Sequence, residues 1–115
     1  MKKIILVAAF LFFTLITFQT CKKDDFKNLD CSSIPATYSA NIKPLVASTC
    51  AISGCHVAGS PNGDFTTYAG LKAAADNGGL QRETISNNSM PPSGGLSLDQ
   101  RKQIKCWMNN GSANN

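Results

Sequence analysis

Apolar positions in this chain fall into one dense block followed by several sparse ones. After Met1-Lys2-Lys3, the stretch from Ile4 to Phe18 is almost unbroken in apolar residues. From there on, apolar residues recur at helical spacing, and no stretch keeps the period-two alternation of a strand. Ile42, Leu45 and Val46 share one face of a first helix predicted within Ser39 to Thr49. Pro44 must then fall in its first turn, since deeper in a helix it costs about 3 kcal/mol, and Ser39 or Asn41 can serve as N-cap. Tyr68, Leu71 and Ala75 define a second helix over Thr67 to Asn77, capped by Thr66 or Thr67 and stopped by Gly78-Gly79. Leu80 and Ile85 face inward on a shorter helix over Leu80 to Ser86. Ile104, Trp107 and Met108 line a last helix that a Ser97/Gln100 capping box opens and Gly111 closes. Turn-rich loops over Val57 to Asp64 and Asn87 to Gly95 separate these elements. The pattern predicts a small all-α domain of three to four short helices.

The dense block has another meaning. It follows a basic n-region and falls short of the roughly 20 residues that a spanning helix needs, so residues 1–20 read as a secretory signal. Cys21 comes just after it, placed as in the lipobox of bacterial lipoproteins, where that cysteine is acylated and becomes the new N-terminus. The alternatives are an ordinary signal peptide or an uncleaved anchor. Residues 21–30 are charged and offer little to bury, so they read as a tether, leaving residues 31–115 as the domain. The run Lys23-Asp24-Asp25 also resembles a surface-export signal of some Gram-negative lineages. The chain is therefore expected outside the cytoplasm, in the periplasm or at the cell surface of a bacterium, anchored to a membrane.

Charge adds little to this. The 115-residue chain carries +4, and without Lys2 and Lys3 there remain 9 basic against 7 acidic residues. That excess is too small to argue for nucleic acid or strong electrostatic steering. Export changes the reading of the five cysteines more, because thiols outside the cytoplasm are rarely left free.

Cys50-Ala51-Ile52-Ser53-Gly54-Cys55-His56 is the segment with the most chemistry. Two cysteines with a histidine directly after the second form a pattern for covalent haem attachment. Each thiol can form a thioether to a haem vinyl group, and the imidazole can ligate the iron. Here four residues separate the cysteines, where the usual signature has two. His56 is the only histidine, so it is the expected proximal ligand. A soft donor suits the sixth position of an electron carrier. Met1 leaves with the signal and Met108 belongs to the core face of the last helix. Met90, in a loop stiffened by Pro91 and Pro92, is the expected distal ligand.

With Ile104, Trp107 and Gly111 in the last helix, these residues resemble the class I c-type cytochrome family over roughly residues 38–113. The Met-Pro-Pro loop and the terminal helix resemble small membrane-anchored bacterial cytochrome domains in particular. The resemblance implies a cytochrome c-like fold around one covalent haem c per chain, and a monomeric electron carrier, not an enzyme. Its partners would be redox proteins, with no nucleic acid and no small-molecule substrate. The same fold would bring Cys31, ahead of the first helix, to Cys106 in the last. A disulfide there would stabilise the domain by about 2–5 kcal/mol. Helical spacing places Cys106 about 200° from Ile104, away from the core face and toward the segment from Cys31 to Ala36. The alternative is a free, half-buried Cys106 thiol.

A different class also fits the cysteine count: a haem-free lipoprotein binding module stapled by Cys50–Cys55 and Cys31–Cys106 disulfides. It leaves His56 and Met90 without a role. A structural zinc site lacks two ligand pairs, and a peroxidase would need an open sixth position with acid/base groups that this chain, with one histidine, does not offer.

Overall fold

The computed structural model describes residues 26–115. The signal segment, Cys21 and the start of the tether lie outside the described residues. Among those described there are helices and no strands, as the apolar spacing predicts. A π-helical turn over Tyr38–Ile42 runs directly into an α-helix over Lys43–Thr49, together α1. Helix α2 spans Tyr68–Asp76, the π-helical α3 spans Gln81–Ser86, and α4 spans Leu98–Asn109.

The wide turn at the start of α1 explains the position of Pro44. Ile42 N–H donates to the Thr37 carbonyl and Lys43 N–H to that of Tyr38, each five residues back. Pro44 has no N–H to give, and it falls where this bonding changes to the α pattern. It lies in the first turn of the α-helical part but beyond the first turn of α1 as a whole. Neither Ser39 nor Asn41 is the N-cap. Thr37 holds that position, and the Asn41 side-chain oxygen reaches back to accept from its N–H at 3.0 Å and its hydroxyl at 2.9 Å. Helix α2 is capped by Thr67, whose hydroxyl accepts from Gly70 N–H. The capping box on α4 forms as its sequence predicts, with Ser97 and Gln100 each accepting from the other's backbone N–H.

The core gathers Ile42 and Val46 from α1, Leu71 from α2, Leu80 ahead of α3, and Ile104 and Trp107 from α4. Tyr38 packs edge-on against Tyr68 at 5.0 Å and lies 6.1 Å from Trp107. The C-terminal tail wraps this aromatic group. Ser112 O accepts from Tyr68 OH, Ala113 O from the Trp107 indole N–H, and Asn115 from the N–H groups of Tyr38 and Ser39. Those two amides are among the four that an α1 N-terminus leaves without helical partners.

Cys31 and Cys106 are bridged, with Cα atoms 5.4 Å apart, and Cys106 is fully buried. A second link between elements was not visible in the sequence. Arg101 of α4 is buried, donating from Nε to Thr84 O at 3.1 Å and from Nη2 to Ile85 O at 2.7 Å. Carbonyls near a helix end need such donors, so Arg101 ties α3 to α4. Its guanidinium also lies 4.6 Å from the centre of the Phe26 ring. Phe26 is buried, so packing reaches back into the segment that composition assigns to the tether.

Candidate functional site

The C-terminus of α1 sets the site. Cys50 is its C-cap, and Val46 O accepts from the N–H groups of both Cys50 and Ala51 at 2.8 Å. The chain then turns back on itself. Cys55 N–H donates to Ile52 O at 3.0 Å, and His56 N–H donates to Cys50 O at 3.1 Å. Gly54 takes a left-handed φ of +82° inside this turn, a conformation that costs little only without a Cβ. Cys50, Cys55 and His56 are thus held at the base of one closed loop.

The His56 ring is fixed on two sides. It stacks on Phe65 with ring centres 4.0 Å apart and planes within 2°. Its Nδ1 lies 3.0 Å from Asn62 O. A carbonyl only accepts, so Nδ1 is the donor in this contact, which in the neutral ring leaves Nε2 as the acceptor.

Met90 is placed by the other wall. Asn88 brackets the loop: its side-chain oxygen accepts from Leu96 N–H at 2.9 Å and its amide donates to Leu96 O at 3.2 Å. Glu83 O accepts from Ser89 N–H and Met90 N–H. The Glu83 carboxylate also accepts from the Ser89 hydroxyl and from Arg82 Nε. The Ser89 bond, then the Arg82 bond, holds this carboxyl below the usual glutamate range. Met90 itself remains 37% exposed.

Between these walls lies a cleft of about 600 Å³ that Cys50, Cys55, His56 and Met90 all line. Ile52, Phe65, Leu80 and Pro91 supply apolar surface to it. Cys50 is only 7% exposed. Burial pushes its thiol up from the ordinary value, the Thr49 hydroxyl at 3.3 Å opposes this, and nearby Cys55 adds to it. The Cys50 thiol is therefore neutral at neutral pH.

All four residues expected around a haem meet at one cleft, yet the expected function needs correction. Among the described residues, no group of three or more His, Cys, Asp or Glu side chains could hold a metal ion. The covalent cross-link present is the Cys31–Cys106 disulfide. The disulfide is common to both readings, and it is the missing donor cluster that favours the haem-free, disulfide-stapled module over the monohaem electron carrier. In physical terms, the cleft offers one imidazole and a thioether on its solvent-facing lip in place of a clustered donor set. The stapled alternative also changes, because Cys50 and Cys55 are both free thiols. A single disulfide closes the described domain, not two.

Phe65, Asn62 and Glu83 were not singled out by sequence. Their roles arise from contacts across the loops, and only the turn signals around Asn62-Gly63 hinted that the chain would fold back on His56. Comparison with protein-family models, curated proteins and solved structures gives no match in any of the three. No described helix is long and apolar enough to cross a membrane.

Proposed function

We propose that the chain is a haem-free, disulfide-stapled binding module that holds a small, largely apolar ligand in the cleft above Cys50. The segment 1–20 would direct it outside the cytoplasm and acylation of Cys21 would anchor it to a membrane. The cleft is the observation that supports this reading. Its volume of about 600 Å³ falls within the range of roughly 300–1,000 Å³ typical of small-ligand sites. Apolar walls with a few convergent polar groups are the usual composition of such sites. Phe65 and Ile52 would contact the apolar body of the ligand. His56 Nε2, aligned by the Asn62 and Phe65 contacts, would accept one hydrogen bond from a ligand O–H or N–H.

A neutral apolar dye tests this. Nile red should bind the mature chain saturably at one site. Ile52→Asp puts a carboxylate on the apolar wall at a residue already 44% exposed, so the fold tolerates it. Desolvating that charge costs more than about 1.4 kcal/mol, which weakens dye binding at least about tenfold. Leu98→Asp, exposed and not lining the cleft, should leave it unchanged. Non-saturable binding, or equal loss in both variants, would refute the reading.

A further inference from the structure

We propose that Cys50 and Cys55 form a reversible dithiol–disulfide couple in the cleft wall, exchanging with small thiol disulfides such as glutathione disulfide. This goes beyond the binding role and does not depend on which ligand the cleft takes.

The described cysteines divide into two pairs with different surroundings. Cys31 and Cys106 are joined, 75 residues apart in sequence, and bind the two ends of the domain. Cys50 and Cys55 are both reduced and both open on the cleft. The His56 N–H bond to Cys50 O and the Cys55 N–H bond to Ile52 O fold the intervening chain back, which brings the two thiols to one side of the same loop. A Cβ placed on Gly54 would meet nothing within 4 Å, so the middle of this loop is not packed against the rest of the domain.

The pair is asymmetric, and that fixes the order of events. Cys55 is half-buried while Cys50 is buried, so Cys55 is the sulfur an outside disulfide reaches first. Thiol–disulfide exchange proceeds by attack of a thiolate through a mixed disulfide. The Cys55 thiolate attacks the disulfide RS–SR, forming Cys55–S–SR and releasing one RS⁻. Cys50 then loses its proton to solvent and attacks the Cys55 sulfur, forming the Cys50–Cys55 bond and releasing the second RS⁻. Two protein thiols are oxidised and one external disulfide is reduced to two thiols. The reverse steps, driven by an excess of RSH, restore the dithiol. In the staple the Cys106 sulfur is fully buried and Cys31 is half-buried, whereas both sulfurs of the Cys50/Cys55 pair open on the cleft.

Exposure of the folded, mature chain to a series of glutathione redox buffers tests the couple. After acid quench and alkylation, the peptide containing residues 50–55 is weighed. The expected result is a doubly alkylated peptide in reducing buffer, replaced as the buffer becomes oxidising by an unalkylated peptide two hydrogens lighter than the free dithiol, and restored by reduced glutathione. Cys50→Ala should instead stop at a stable glutathione adduct on Cys55. Persistence of a glutathione adduct in the unmutated chain would overturn the proposal. So would two unreacted thiols in a buffer that fully modifies the Cys50→Ala variant. Should Cys50→Ala fail to fold, the unmutated chain alone decides the matter through the adduct or the two-hydrogen loss.

Discussion

Removing the staple is the perturbation whose size the structure fixes best. Cys31 and Cys106 are separated by 75 residues, so their bond closes most of the described domain into one loop. The loop-entropy relation puts the stabilisation for such a length at about 4.5 kcal/mol. A domain of this size has a total stability of roughly 5–15 kcal/mol, so the bond accounts for a large share of it. Cys31→Ala/Cys106→Ala is the appropriate variant, because Cys106 is fully buried and serine would leave a hydroxyl unpaired there. Urea unfolding can be followed by the fluorescence of Trp107, which is the only tryptophan and is buried. The expected outcome is a loss of about 4 kcal/mol together with a steeper denaturant dependence, since the unlinked unfolded chain exposes more surface. A loss under about 1 kcal/mol would show that the bond does not act as the domain's main cross-link.

Two other perturbations follow from the same contacts. Arg101→Ala leaves the Thr84 and Ile85 carbonyls without the donors they have now and should cost about 3 kcal/mol by the same urea assay. Arg101→Lys should recover less than half of that, because an ammonium cannot present the guanidinium fork, and full recovery would contradict the two-carbonyl tie. The raised Cys50 thiol gives a pH signature: the folded chain gives up this proton less readily than the unfolded chain. The stability that this represents is intact below the ordinary thiol value of 9.0 and is lost as pH rises past it. Stability measured across that range should fall less steeply in Cys50→Ala than in the unmutated chain, and identical slopes would refute it.

Helix number, helix order and most of the core were legible in the sequence because local signals act alone at those points. The Ser97/Gln100 box, the Thr67 cap and the Ile104/Trp107 spacing each need only their own neighbours. Features made by distant segments were not legible. Arg101 reads as a surface charge on an amphipathic helix, and only the arrival of the α3 carbonyls makes its burial favourable. The closure of the C-terminal tail on Tyr38 and Ser39 depends on Asn115, whose polar side chain carries no periodic signal. At the site, Cys50, Cys55, His56 and Met90 could be named from type and spacing, and the structure places them on one cleft. Type and spacing do not report how donors cluster in space, which is why the haem reading of those residues had to be corrected. The stacking of His56 on Phe65 and the grip of Glu83 on the Met90 loop likewise depend on loop geometry.

The haem-free character of the module is the central claim, and mass measurement tests it most directly. The full chain is to be expressed in a bacterial host with a complete c-type haem maturation machinery, purified, mildly reduced and alkylated. The account predicts a polypeptide free of haem, with the Cys31–Cys106 bond intact and Cys50 and Cys55 both alkylated. A haem that stays covalently attached to the Cys50–Cys55 segment through denaturing electrophoresis would contradict it.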